Sequence, residues 1–116
     1  MATLKREDFL NAPAPKRETV SVPGLGGEVH VRQVTAGERD EFEVSISKLK
    51  PRERTRDIRA RIVVFVAVDE EGRPLFTAED VPLLSGLPAS ALEPIMNAHV
   101  RLNSMSAEDV DALAKN

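Results

Sequence analysis

The sequence predicts an α+β fold: an N-terminal β-hairpin packed beside a mainly helical bundle of about five helices, in a single domain over residues 1–116. Three observations lead there. Residues 18–34 alternate apolar and polar side chains around a Gly-rich turn. After them, Ser or Thr followed three residues later by an acid recurs ahead of apolar stripes at helical spacing. Pro and Gly punctuate the chain at short intervals, and no linker, repeat or low-complexity segment divides it.

Taken in order, "LKREDFLNA" reads as a short helix capped by Thr3 and docked through Phe9 and Leu10, stopped by "PAPK". "ETVSVPGLGGEVHVRQV" reads as the hairpin. Val20 and Val22 share one face, as do Val29 and Val31, and the Gly-rich loop supplies the tight turn. "TAGERDEFEVSISKLK" opens with a Thr35/Glu38 capping box, and Phe42, Ile46 and Leu49 form its expected buried stripe. "RERTRDIRARIVVFVAV" reads as a second helix with Ile58, Ile62, Phe65 and Val66 inward. Its apolar second half marks the most buried element, although its β-branched residues also allow strand.

"DEEGRP" is a turn built on Gly72. Phe76 plugs the corner, and Thr77 with Asp80 caps a short helix, "AEDVPLLSG". "SALEPIMNAHVRLN" follows, with Ser90 and Glu93 as a candidate box and Leu92, Ile95, Met96, His99 and Leu102 on one face. Pro94 blurs its start. "SAEDVDALAKN" is the last expected helix, capped by Ser106 with Asp109, and with Val110 and Leu113 inward.

Composition excludes several classes of function. The chain has 116 residues and no Cys, so disulfides, thiol nucleophiles and Cys-based zinc sites are absent. Four Phe and no Trp or Tyr leave the core to Val, Leu, Ile and Ala. A net charge of -3 is too small to point to a polyanionic partner. "MATLKREDFLNAPAPKRE" carries no apolar run, so no signal peptide is expected, and "IVVFVAV" is far short of a membrane span.

The candidate chemistry is sparse. "VDEEGRPLFTAEDVPLL" looks at first like a calcium loop. Setting Gly72 at the loop's sixth position puts Ala67 at the first and Ala78 at the last, where carboxylates are required. "GLGG" joins strand to strand and offers no helix N-terminus to a phosphate. His30 and His99 stand far apart without companion ligands, so His30 reads as a solvent-facing strand residue and His99 as a core-edge one. No Ser lies in a nucleophile elbow. The expectation is no enzyme activity and no cofactor or metal.

Lys48, Lys50, Arg52, Arg54, Arg56, Arg59 and Arg61 form a basic run, after a helix bearing Glu38, Asp40, Glu41 and Glu43. No aromatic residue is interleaved for base stacking, so nucleic acid is disfavoured. Two helices of opposite charge instead predict an antiparallel pair with rim ion pairs. The groove between them is the candidate partner surface, with Ile46 and Leu49 on its flank and Arg52, Arg56 and Arg59 on its rim.

Three segments, "VRQVTAGERDEFE", "VDEEGRPLFTAEDVPLLSGLPASALEPI" and "VRLNSMSAEDVDALAKN", together resemble the tail assembly chaperones of long-tailed bacteriophages. The match runs in order over most of the chain, departing at Ser104, where Gly is usual. The resemblance implies a non-enzymatic protein of the bacterial host cytoplasm, encoded by a phage or prophage. It implies binding to the tape measure protein before the tail tube forms, self-association, the tube protein as a second partner, and absence from the finished virion. A minor structural tail or head–tail connector protein is the alternative, and a small nucleic-acid-binding regulator a more distant one. The family also implies a longer product made by ribosomal frameshifting. Ala114-Lys115-Asn116 can be encoded GCA AAA AAC, which contains a slippery heptamer, and an AAG codon for Lys115 rules that heptamer out.

Overall fold

The computed structural model describes residues 2–103. The order of elements is α1 (Arg6–Leu10), β1 (Arg17–Val22), β2 (Gly27–Arg32), α2 (Ala36–Ser47), α3 (Ile58–Val66), β3 (Ala67–Val68), α4 (Val81–Ser85) and α5 (Ala89–Asn103). Short 3-10 turns lie at Pro23–Leu25, Pro51–Glu53 and Ala78–Asp80. The α+β prediction holds. The expected last helix, with Ser106, Asp109, Val110 and Leu113, lies outside the described residues.

The hairpin forms as the alternation requires. β1 and β2 pair antiparallel with Val20 opposite Val29 and Val22 opposite Gly27. The turn is a 3-10 step closed by Gly26 at φ 71°, a left-handed conformation that glycine adopts without strain. β3 adds a third antiparallel strand beside β2, pairing Val31 with Ala67. β2 is therefore central, and Val31 is fully buried.

Val20, Val22 and Val31 face a core made with Ala60, Val63 and Val66 of α3, Val81 and Leu84 of α4, and Leu92, Ile95 and Ala98 of α5. α5 lies along the hairpin, and α3 packs against both α4 and α5. The largest fully buried side chains are all Val. Such a core depends on close fit, because each small side chain removes little apolar area from water.

The segment "IVVFVAV" is indeed the most buried, and it contains both elements its composition allows. The helix ends at Val66 and the strand begins at Ala67 with no loop between. The inward face is Ala60, Val63 and Val66; Ile58, Ile62 and Phe65 are only half-buried.

Two helices do not start where the sequence predicts. The run from Arg52 to Asp57 is not the first half of a helix. Pro51 starts a 3-10 turn, and Asp57 has φ 57°, a left-handed conformation that cannot propagate a right-handed helix. Arg54 folds back instead, and its guanidinium donates to the Ser47 and Leu49 carbonyls at the end of α2. That satisfies acceptors the helix leaves open and places a cation at its negative pole. Asp57 then accepts from the Ser85 hydroxyl at 2.7 Å, tying the start of α3 to the end of α4.

α1 is the second case. It is capped at Lys5, whose backbone N–H donates to the Asp8 carboxylate, rather than at Thr3. It does not dock: Phe9 is 69% exposed and Leu10 63%. "APAPK" leaves the short helix standing off the core.

The "DEEGRP" corner is a tight turn. Gly72 has φ 85°, and its N–H donates to the Asp69 carbonyl. The Asp69 carboxylate accepts from the Glu71 and Arg73 amides, and the Arg17 guanidinium donates to the Glu70 carbonyl. Phe76 packs half-buried against the core, and the Thr77 N–H donates to Asp80 at 2.8 Å.

Arg32, the last residue of β2, joins these parts. Its Nε and Nη2 donate to the Phe65 carbonyl at 2.9 and 2.7 Å, its Nη1 pairs with Glu38 of α2, and its guanidinium lies 5.0 Å from the Phe65 ring centroid. The planar fork makes both attachments at once, which an ammonium cannot do. Arg32→Met is expected to lower the unfolding free energy by about 2–3 kcal/mol, the worth of charged hydrogen bonds to partly buried partners. Arg32→Lys should recover less than half of that loss, as read by urea denaturation.

Candidate functional site

Helix α2 owes its existence to local signals. The Thr35 hydroxyl accepts from the Glu38 N–H at 3.1 Å, and the Glu38 carboxylate accepts from the Thr35 N–H at 2.8 Å. The capping box at Thr35 and Glu38 is therefore confirmed. The buried stripe is not: no residue of α2 is fully buried, and Phe42, Ile46 and Leu49 are each half-exposed. Two attachments hold the helix to the body. One is the Arg32–Glu38 ion pair. The other is a stack of Phe42 on Phe65, with centroids 4.4 Å apart and planes 13° from parallel.

A helix held off the body by one aromatic stack leaves space on both sides of the stack. On one side is a cleft of ≈ 440 Å³ between α2, α3 and the start of α4. Phe42, Ile46, Val64, Phe65, Pro74, Ala78 and Val81 form its apolar lining. Arg32, Glu38, Glu41, Ser45 and Arg61 supply the polar groups, with Glu41 on the α2 wall and Arg61 on the α3 wall. On the other side is a hollow of ≈ 210 Å³ that includes Val34, Ile62, His99 and Asn103.

Of the predicted contact residues, Ile46 lines the cleft. Leu49 lies at the end of α2, where its carbonyl accepts from Arg54. Arg52 is exposed on the 3-10 turn, and Arg56 and Arg59 are exposed around the start of α3. The expected pair of oppositely charged helices is not formed, because the Arg run is largely non-helical. Among the described residues no ion pair links it to α2; the pairs are Arg32–Glu38, Arg39–Glu43, Arg73–Glu71 and Arg101–Glu18. The groove exists, but its second wall is the apolar half of α3.

Sequence reasoning missed Asn103. Its side-chain N–H₂ donates to the Arg32 carbonyl and to His99 Nδ1, each at 3.1 Å, and its oxygen accepts from the Val34 N–H at 2.7 Å. The end of α5 is thus pinned to the link between β2 and α2. An Asn at a helix end is a frequent local cap, and only the fold shows that this one bonds across 69 residues. His99 is a core-edge residue, as expected, and His30 is half-exposed with its Nδ1 against the Thr19 hydroxyl.

No group of three metal-ligating side chains occurs among the described residues, and no helix there is long and apolar enough to cross a membrane. The arrangement offers apolar surface with a charged rim.

Among the described residues, three groups titrate away from their ordinary values. The Thr35 amide, reinforced by Arg32, holds the Glu38 carboxyl low. Amides of Arg73, Glu71 and Gly72 do the same for Asp69. Burial, reinforced by the Arg39 charge, pushes His99 down. A depressed His is neutral in the fold, consistent with Nδ1 accepting from Asn103. The unfolded chain then binds the extra proton first, so stability is full above pH 6.5 and falls as pH drops below it. His99→Gln should flatten the first part of that decline. The Glu38 contribution is present above 4.5 and is lost as pH falls through its lower folded value, so Glu38→Gln should flatten the acid end. Urea titrations across pH read both.

Phe42→Ala should strip amide protection from residues 36–47 while α3 and α5 keep theirs, at a cost of about 1–2 kcal/mol from lost area and stacking. Native-state hydrogen exchange checks this.

No family model matches the sequence. No curated protein matches it either. A solved structure does: that of the bacteriophage HK97 tail assembly chaperone superposes with a TM-score of 0.58 at 14% identity, covering 86% of this chain and 94% of that one. The chain therefore has the fold of a phage tail assembly chaperone.

Proposed function

We propose that this protein is a phage tail assembly chaperone that binds the tape measure protein, keeps it soluble and helps start tail tube assembly. The observation that carries the reading is the fold shared with the HK97 tail assembly chaperone along nearly the full length of both chains. The cleft beside α2 supports it. An amphipathic helix presents apolar anchors at i, i+3, i+4 and i+7, and a groove lined by Phe42, Ile46, Val64 and Phe65 is the surface that receives them. Long helical chains with such stripes aggregate unless covered, so covering them is a sufficient mechanism for solubility. No bond is made or broken, and none of the described residues is needed as a catalyst. The tail tube protein is the second partner, arriving as the tape measure helix is released.

Co-expression with the tape measure protein of the same genome tests this. The expected result is a soluble tape measure protein that co-purifies with this chain. Ile46→Asp puts a charge on the cleft wall at a half-exposed position and should abolish co-purification while leaving the fold intact, as read by circular dichroism. Purified virions should lack the protein by mass spectrometry. Its presence there at stoichiometric levels would establish a structural tail or connector role instead.

A further inference from the structure

Most polar groups of the cleft beside α2 are already engaged within the chain. Arg32 is bonded to the Phe65 carbonyl and paired with Glu38, and Glu38 also closes the Thr35 cap. The Ser45 hydroxyl donates to the Phe42 carbonyl. Of the charges that line the cleft, two have no ion pair among the described residues: Glu41 on the α2 wall and Arg61 on the α3 wall. Glu41 is exposed. Arg61 is half-buried, and its Nε donates to the Arg56 carbonyl at 3.4 Å, which leaves its two Nη groups for a partner. Each wall continues in its own sign, with Asp40 beside Glu41 and with Arg56 and Arg59 exposed around the start of α3. The cleft is therefore an apolar trough with one acidic side and one basic side. With its other polar side chains engaged, it has little to offer the backbone of an extended peptide, whereas a helix bonds its own backbone.

We propose that the cleft selects the direction of the helix it binds. The occupant is an amphipathic helix with an apolar stripe inward, a basic flank against Glu41 and an acidic flank against Arg61. This rests on the cleft being the seat of a partner helix, as proposed above for the tape measure protein, and adds the charge pattern and direction of that helix. Turning such a helix end for end, with its stripe still inward, exchanges its two flanks. Its cations then face Arg61 and its acids face Glu41, so attraction on both walls becomes repulsion on both. A cleft with walls of one sign, or of none, accepts either direction. The wall charges set direction and register more than they add affinity. Every copy seated on a long helical partner therefore points the same way along it.

Three designed helical peptides with the same Leu anchors at i, i+3, i+4 and i+7 test this. One carries Lys on one flank and Glu on the other, one carries Lys on both flanks, and one carries Glu on both. Fluorescence anisotropy with the full chain at low ionic strength should show the mixed peptide binding about tenfold tighter than either uniform one, because each uniform peptide meets one wall of its own sign. Glu41→Lys makes both walls basic and should move the preference to the Glu peptide. Arg61→Glu makes both walls acidic and should move it to the Lys peptide. A preference that moves in opposite directions cannot come from loss of the fold. Direction is read with a nitroxide at the N-terminus of the mixed peptide. It should broaden the amide signal at one end of the α2 wall, Glu38 or Ile46, and at the other end in the Glu41→Lys, Arg61→Glu double variant. Equal binding of the three peptides, a preference the variants do not move, broadening of both ends alike, or binding of none overturns the proposal. The peptides carry no tape measure sequence, so the two readings fail separately. A tape measure protein that co-purifies while the peptides are not sorted by charge overturns only the direction reading. Peptides sorted as expected beside a tape measure protein that stays insoluble overturn only the proposed function.

Discussion

The Arg32 guanidinium is the constraint on which the arrangement of elements depends. It sits at the end of the central strand and bonds the last turn of α3 through the Phe65 carbonyl. It also pairs with Glu38 in the first turn of α2, while its own carbonyl accepts from Asn103 at the end of α5. Four elements therefore meet at one residue. The charge is only partly exposed, so its attachments are stronger than those of the solvent-exposed pair Arg39–Glu43. The cleft follows from the same contact. Arg32 fixes the N-terminus of α2 close to the sheet, and the Phe42–Phe65 stack holds its middle at a distance, so space remains beneath the helix.

Much of the fold was legible because its signals are local. The valine alternation specified which face of the hairpin is buried, since a one-residue slip would expose it. The Thr35/Glu38 box started α2 where expected, and Gly72 turned the chain where expected. What was not legible depends on distant partners. Phe42 reads as a core residue, but it makes its stack at the edge of the body. The Arg run reads as a helix, yet Asp57 turns left-handed where it meets Ser85, 28 residues further on. Phe9 and Leu10 read as docking residues, yet both stand exposed, because five helical residues between a charged start and a Pro-rich stop make no packing contact with the body. Asn103 gave no cue at all, because its bonds to Val34 and Arg32 reach back 69 and 71 residues.

Low sequence identity with a shared fold is physically reasonable for a core of this kind. Val, Ala, Ile and Leu exchange with small losses when total volume and pattern are kept. What such a core does not tolerate is a change in the direction its elements take, and here those directions are set by caps, a glycine corner and one guanidinium. None of these requires a long conserved motif.

The direct passage from α3 into β3 has a consequence for how this chain can change in length. Val66 is the last helical residue and Ala67 the first of the strand, and both are fully buried. One residue added within this run would turn the preceding helix face by about 100° or exchange the two faces of the strand. There is no loop in between to absorb the shift. Insertions and deletions are therefore confined to the exposed stretches at either side, between Lys48 and Asp57 and around the Gly72 corner, and the distance between those two stretches behaves as a fixed ruler.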